Sequence, residues 1–447
     1  MIKLSSYRQD FKLNLKLALP IMAGQVGQVL VNFIDNIMVG QLGATALAAV
    51  SLAISIYISL MVVGMGISFA LPPLAAQAHG MLKHKRISVL FKHSLLINVI
   101  YAFICVVIIE LGLPILDHLG QDPEVVALAK PYLRISGWTM IPLMIFQALR
   151  CHSDGLSETK PAMIATLIGN VFNVLFNYML IYGKLGAPAL GVEGAALGTF
   201  LARIVMIAIM IAILMRWKDL WPYIKNANYM VYRSSVAKKL LSLGIPTSMQ
   251  MFFEVTAFAA AALIMGTLGK TPQAAHQIAI NLAAMTFLTC TGLGMAATIR
   301  VGNQLGQNNT SGLYKAGMSA IIQVVLFMLV AAFLFVGLRD VLPHLYIDDD
   351  AVIQIASVLL IMAAIFQVSD GVQVVALGVL RGMQDVKVPM LITFLAYWLC
   401  GIPISYISAR HLNFGPIGVW MGLVIGLTVS AVLLTRRFYI RSRAIAT

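Results

Sequence analysis

Residues 17–49 read LALPIMAGQVGQVLVNFIDNIMVGQLGATALAA, and residues 243–275 read LGIPTSMQMFFEVTAFAAAALIMGTLGKTPQAA. An offset of 226 residues aligns Pro20 with Pro246, Gly40 with Gly266, Leu42 with Leu268, Gly43 with Gly269, and Ala48 and Ala49 with Ala274 and Ala275. With small slips, Leu149, Arg150 and Pro161 then pair with Leu380, Arg381 and Pro389, while Gly191, Gly194 and Gly198 pair with Gly415, Gly418 and Gly422. The chain therefore repeats itself. Internal repeats of this length are a hallmark of membrane transporters. The acids do not repeat: Glu254 falls opposite Gln28 and Asp35 opposite Ala261, so each half carries its own chemistry on a shared scaffold.

Composition fixes the solvent. With 447 residues, 60% of them hydrophobic, 11% charged and a mean hydropathy of +0.90, the chain is too apolar for a soluble globule of its length. Apolar runs of helix length begin near residues 17, 46, 90, 132, 162, 191, 240, 273, 313, 352, 389 and 416. Each is long enough to cross a bilayer as a helix, and none has the short alternating pattern of a barrel strand. The expected fold is an all-α polytopic membrane protein with twelve spans, six in each copy of the repeat. An even number per copy means that both copies enter the membrane in the same orientation. The expected lobes are residues 1–220 and 240–447, joined by a cytoplasmic linker over 221–239, where the longest polar stretch lies.

A net charge of +14 invites a nucleic-acid reading, but its placement argues for topology. Lys and Arg gather before the first span (Lys3, Arg8, Lys12, Lys16) and after the even-numbered ones: Lys83 to Lys92, Arg150 with Lys160, Arg216 to Lys239, Arg300 with Lys315, Arg381 with Lys387, and Arg436 to Arg443. The alternate loops hold only Lys130, Arg134, Lys184, Lys270, Arg339 and Arg410. By the positive-inside rule both termini are cytoplasmic and the span count is even, and no nucleic-acid partner is expected. The N-terminal apolar run is too long for a signal-peptide core and is read as retained. Cys105, Cys151, Cys290 and Cys400 lie far apart without a CxxC pair, so they are read as packing residues.

Polar stripes run along several spans. Gln25, Gln28, Asn32 and Asp35 share one narrow sector of the first helix; Asn170, Asn173 and Asn177 do so in the fifth. Thr247, Gln250 and Glu254 mark the seventh, Gln277 and Asn281 the eighth, and Gln367, Asp370 and Gln373 the tenth. Amide stripes either hydrogen-bond helix to helix or line a substrate path. The acids Asp35, Glu254 and Asp370 ask for more, because an ionised group in hydrocarbon costs several kcal/mol. Such a carboxyl escapes the cost by taking a proton or by holding a cation. The only basic residue inside a span is Arg203, which either neutralises an acid or snorkels. His276 is read as a helix-end hydrogen bonder, Gly418, Gly422 and Gly426 as a close-packing face, and Asp348 to Asp350 as a helix start. Pro20 should loosen the first helix. No HExxH pair, nucleophile motif or paired-aspartate phosphate site lies in the membrane, so no enzyme is expected.

ALPIMAGQVGQVLVNFIDNIMVG, QALRCHSDGLSETKP, GNVFNVLFNYMLIYG, FFEVTAF, AAHQIAIN, IRVGNQLGQ and FQVSDGVQVVALGVLRGMQD occur in that order. With these motifs the sequence resembles the multidrug and toxic compound extrusion (MATE) family, in its NorM-like branch, essentially end to end. The resemblance implies two six-helix lobes around a central cleft and export of organic cations and drugs in exchange for H⁺ or Na⁺, without a cofactor. It implies a cation-coupling site of Glu254 and Asp370, where Na⁺ would sit. It also implies an ion-responsive site of Asp35, Asn173, Asn177 and Thr199, a hinge at Pro20, and substrate contacts from Asp348 and Asp349. Gln28, Gln277, Asn281 and Phe366 complete the substrate-binding candidates. One departure stands out: Phe366 occupies a position where many NorM-like members have tyrosine, which removes a phenol oxygen from the cation's reach. A monomer is expected, because the cleft lies within one chain. The alternative functions are a lipid-linked-precursor flippase and a narrow-substrate metabolite exporter of the same superfamily.

Overall fold

The computed structural model describes residues 7–118, 120–217, 220–225 and 232–446. Lys3 and Lys218, counted among the orientation-setting cations, lie outside them, as do residues 226–231 of the expected linker. The described chain is helical almost throughout. In order it forms α1 (Arg8–Gly40), α2 (Ala44–Ser68), α3 (Leu71–Gly80), α4 (His84–Gly112), α5 (Pro123–Gly155), α6 (Lys160–Tyr182), α7 (Gly191–Arg216) and the short α8 (Trp221–Lys225). The second half forms α9 (Ser234–Gly266), α10 (Lys270–Gly306), α11 (Thr310–Gly337), α12 (Asp350–Gly382), α13 (Lys387–Phe394), α14 (Ile402–Arg410) and α15 (Gly415–Ala446). A π-helical turn over Leu395–Gly401 joins α13 to α14 in one continuous segment.

Among the described residues, 11 helical segments are long and apolar enough to span a bilayer. The sequence had pointed to twelve. The remaining long helix, α5, has 33 residues but includes Lys130, Arg134, Gln147 and Arg150, which dilute its apolar character. The chain is thus a multi-pass membrane protein built from helices, the one open-ended architecture that satisfies its own backbone in lipid.

Two compact units emerge. One is Ala23–Ser248; the other combines Met1–Met22 with Met249–Thr447. Both α1 and α9 are divided, two residues after Pro20 in the first case and two residues after Pro246 in the second. These are equivalent positions of the repeat, so each half lends the start of its first helix to the other half's unit. Both helices run unbroken through their prolines. In the unit holding residues 249–447, Arg300 ties down the start of α1: it forms an ion pair with Asp10 and donates to Asn14 Oδ1 at 2.6 Å. The fully buried Asn14 donates in turn to Ser319 Oγ and Gln323 Oε1, each at 3.2 Å.

Small residues set the helix spacing. In the first unit Ala49, Ala53 and Ala102 pack with Tyr57, Met140 and Met144. In the second, Ala257, Ala261, Ala279, Ala356 and Ala363 surround Phe366, Tyr397 and Trp420. α10 and α12 approach closely, so that a methyl on Gly378 would collide with the Gly294 backbone. Thr298 Oγ1 bridges the two helices, reaching the Gly378 carbonyl at 2.8 Å and the Gly294 carbonyl at 2.9 Å. The glycine face of α15 is a packing face, as read: Gly418 abuts Ser408 and Ala409, Gly422 abuts Ser405, and Gly426 lies against Ala396 and Gly401. Their repeat counterparts do the same, Gly194 against the Leu180 carbonyl and Gly198 against Asn177. Among the described residues no cysteine forms a disulfide, and Cys105, Cys151 and Cys290 are buried.

Because both neighbours at the α10–α12 contact are backbone, they cannot rotate away from an added side chain. Gly378→Leu should destabilise the protein by at least ~1–3 kcal/mol, seen as a lowered apparent Tm in detergent. An unchanged Tm would show that the helices do not meet there.

Candidate functional site

Each unit gathers its own acids. In the first, Asp35 of α1 accepts a hydrogen bond from Asn177 Nδ2 of α6 at 2.7 Å. The same Nδ2 reaches Asn173 Oδ1 at 3.3 Å, and Asn173 Nδ2 donates to Thr199 Oγ1 of α7 at 3.2 Å. Thr199 closes the chain on the Ala195 carbonyl at 3.0 Å. Asparagines four residues apart lie on one helix face, and the missing side chain at Gly198 lets α7 approach Asn177. The four residues that the resemblance assigned to one site are therefore joined in one hydrogen-bonded row. Asn177 is fully buried and its Oδ1 has no partner among the described residues.

This row opens on a cavity of about 390 Å³ lined by Gln25, Gln28, Asn32 and Asp35 on one side and by Tyr57, Tyr132, Arg203 and Met206 on others. Gln28 donates to Asn32 one turn on, at 3.2 Å. Arg203 does not snorkel. Its Nη1 donates to Tyr57 Oη at 2.5 Å and to Thr139 Oγ1 at 2.7 Å, and its guanidinium lies 5.5 Å from the Tyr57 ring centroid.

In the second unit Glu254 of α9 and Asp370 of α12 are buried and close enough to interact electrostatically. Glu254 is hydrogen-bonded by Gln250, yet its Oε1 has no partner among the described residues. Asp370 Oδ1, both amide atoms of Gln367 and Gln373 Oε1 are likewise unpartnered and buried. Unmet buried polar atoms are costly singly and rare in groups. Gln367 and Gln373 stand three residues before and after Asp370 on α12, so these atoms share one face of that helix. The oxygens present are those a hard monovalent cation or a proton would use.

Sequence reasoning missed the phenol at this site. Tyr397, 1% exposed, sits in the π-helical turn within electrostatic reach of both acids and accepts from Gln373 Nε2 at 2.9 Å. It brings a phenol oxygen to the two acids from another helical segment, while Phe366 carries none. Phe366 meets Trp420 and Phe258 edge-on, with ring centroids 5.4 and 5.9 Å apart, and Phe258 meets Tyr397 in turn. The signal was a lone tyrosine in mid-span, whose hydroxyl needs a partner. Arg381, read as a topology residue, also acts electrostatically on Glu254.

Other candidates lie elsewhere. Gln277 and Asn281 are exposed and bonded to each other at 3.1 Å. Asp349 caps α12, accepting from the Ala351 and Val352 amides at 2.9 and 3.3 Å, while Asp348 is exposed at the loop before it. His276 packs edge-on against Trp420; its Nδ1 has no partner among the described residues, so the helix-end hydrogen bond is not made there.

These arrangements have relatives. The profile of the MatE family matches residues 20–179 and 246–407, the two copies of the repeat. The chain is 34% identical over 440 residues to the "Probable multidrug resistance protein NorM" of Rhizobium meliloti (strain 1021), covering 97% of this chain and 94% of that protein. Among solved structures it superposes on an outward-facing multidrug resistance MATE family transporter of the MOP superfamily with a TM-score of 0.90 at 21% identity, covering 98% of this chain and 97% of the other. It also matches the eukaryotic MATE transporter AtDTX14, with a TM-score of 0.85 at 20% identity and 98% of each chain covered. At those identities the structures attest the fold, and the sequence matches attest the lineage: this chain is a member of the MatE family of membrane transporters, not an enzyme.

Proposed function

We propose that the protein is a secondary-active exporter of organic cations and drugs in the cell inner membrane, with both termini cytoplasmic, driven by inward movement of H⁺ or Na⁺. The observation that carries this reading is the pair of separate acid sites, one in each unit: Glu254 and Asp370 are buried, Asp35 is half-buried at the cavity, and each site keeps a buried polar atom without a partner among the described residues. A passive pore has no use for two dissimilar carboxyl clusters. An antiporter does: a carboxyl that cannot stay empty and charged in a dry site holds either the coupling ion or the cationic substrate. Ion and substrate then occupy the protein in alternation, each favouring a different conformation by its differential affinity.

In the second unit Glu254, Asp370 and Tyr397 would hold the ion, with Gln373 orienting the phenol. Three oxygens from three helical segments suit Na⁺, and the two carboxyls suit H⁺ equally. In the first, Asp35 is the only carboxyl lining the cavity among the described residues, and the Asn173–Asn177–Thr199 row delivers one amide donor to it. Cation or proton uptake at Asp35 would weaken that hydrogen bond and with it one of the links between α1 and α6, which Tyr182 also joins through the Met38 carbonyl and Gln41. Pro20 would serve as the hinge of α1, its missing amide proton removing one rung of the helix. The rival reading, a lipid-linked-precursor flippase, needs a path rich in basic groups for phosphates.

Ethidium fluorescence in proteoliposomes, with a Na⁺ gradient and a pH gradient imposed in separate runs, should show dye movement under one of them. Movement under neither, with folded protein, would retire the antiport reading and favour the flippase. Asp370→Asn should lower gradient-driven export by tenfold or more, on the order of 1.4 kcal/mol, while the protein remains monodisperse; wild-type export would remove Asp370 from coupling.

Tyr397→Phe should raise the Na⁺ or H⁺ concentration needed for half-maximal quenching of tryptophan fluorescence, for which Trp420 beside Phe366 is a natural reporter. Phe366→Tyr in that background should move it back. No shift in the first variant would exclude the phenol as an ion contact.

A further inference from the structure

The cavity of the first unit holds a second charged group that ion coupling leaves unused. Arg203 stands in α7 one turn beyond Thr199 and lines the same cavity as Asp35. The two interact electrostatically, yet among the described residues they form no ion pair. Arg150 also lines the cavity, but its charge is engaged by Asp154 at 3.5 Å. Among the described residues Arg203 has no such acid.

Its anchoring is one-sided. Tyr57 and Thr139 take hydrogen bonds from Nη1, and the Tyr57 ring lies beside the guanidinium. Nε and Nη2 make no hydrogen bond among the described residues, which leaves donor edges for a partner in the cavity. A guanidinium fixed by its phenol and hydroxyl neighbours is preorganised for a planar oxyanion. Had the protein needed Arg203 only to neutralise Asp35, direct contact would be the lower-energy arrangement at low dielectric. The two charges are instead held apart across an open space lined by Met61, Met65 and Met206, which adapt to varied apolar bodies.

We infer that Arg203 is a binding site for the carboxylate of an amphoteric substrate whose cationic nitrogen lies at Asp35. The cavity thus reads a dipole rather than a single positive charge. A purely cationic ligand meets repulsion from Arg203, whereas a zwitterion satisfies both ends. This rests on the exporter reading only in supposing that the cavity takes substrate, and it is tested by binding without any gradient.

The probes are rhodamine 110, which carries a free carboxylate, and rhodamine 123, its methyl ester. Binding to the purified protein in maltoside detergent is followed by fluorescence anisotropy. Arg203→Gln should weaken rhodamine 110 by roughly tenfold more than rhodamine 123, the scale of one lost charge-assisted hydrogen bond. Arg203→Lys should recover part of that preference, and Asp35→Asn should weaken both dyes. Equal weakening of the two dyes by Arg203→Gln, or no weakening of either, would reduce Arg203 to a structural role and overturn the inference. Dihexanoylphosphatidylcholine should not displace rhodamine 110; displacement would assign the charge pair to a zwitterionic lipid headgroup and overturn the assignment to a soluble substrate. Failure of gradient-driven rhodamine 110 export with this dye preference intact would count against antiport alone.

Discussion

Everything distinctive in this protein follows from the cost of a carboxylate in hydrocarbon. Backbone groups meet that cost by forming helices, and the helices do so nearly without exception along the described chain. Side-chain acids have no such internal remedy. Where the chain places one in a span it must surround it with donors, set a cation near it or leave it ready to be neutralised. Asp35 has an amide donor and a distant arginine. Glu254 and Asp370 have each other, a phenol and a set of unmet oxygens. The asymmetry of the two units is chemical, not architectural.

The architecture itself was open to reading. The offset between Pro20 and Pro246 anticipated that both halves would fold alike, and the division of α1 and α9 at equivalent points extends the match to where each helix changes unit. Hydrophobic runs located the spans because lipid leaves few alternatives. Only α5 escaped a purely apolar criterion, since it carries charges at its start, where Arg134 pairs with Glu110, and polar residues that turn inward further on: Gln147 is 2% exposed and Arg150 faces Asp154. The glycine face of α15 was legible for a similar reason, small residues at helical spacing having one common use in a bundle.

The sites were half legible. Residues on one helix declare themselves by spacing, and so the stripe ending at Asp35 and the asparagines of α6 could be found without coordinates. Partners from other helices do not. Tyr397 lies 27 residues beyond Asp370 in a segment that otherwise reads as plain apolar span, and nothing in its neighbours foretells that it faces two acids. Arg203 was visible as an intramembrane charge, but whether it snorkels or turns inward depends on Tyr57 and Thr139, residues far away in sequence. Loss of a functional group at one position and its supply from another cannot be detected position by position.

The π-helical turn at Leu395–Gly401 gives that last point an evolutionary edge. A π turn carries one residue more than the α-helix it interrupts, and each residue turns the chain by about 100°. The angular position of Tyr397 relative to the rest of its segment is thus set by an inserted residue as well as by the identity of the side chain. Across descendants of such a fold, gain or loss of a single codon in this turn rotates the phenol relative to Glu254 and Asp370 while leaving both acids in place.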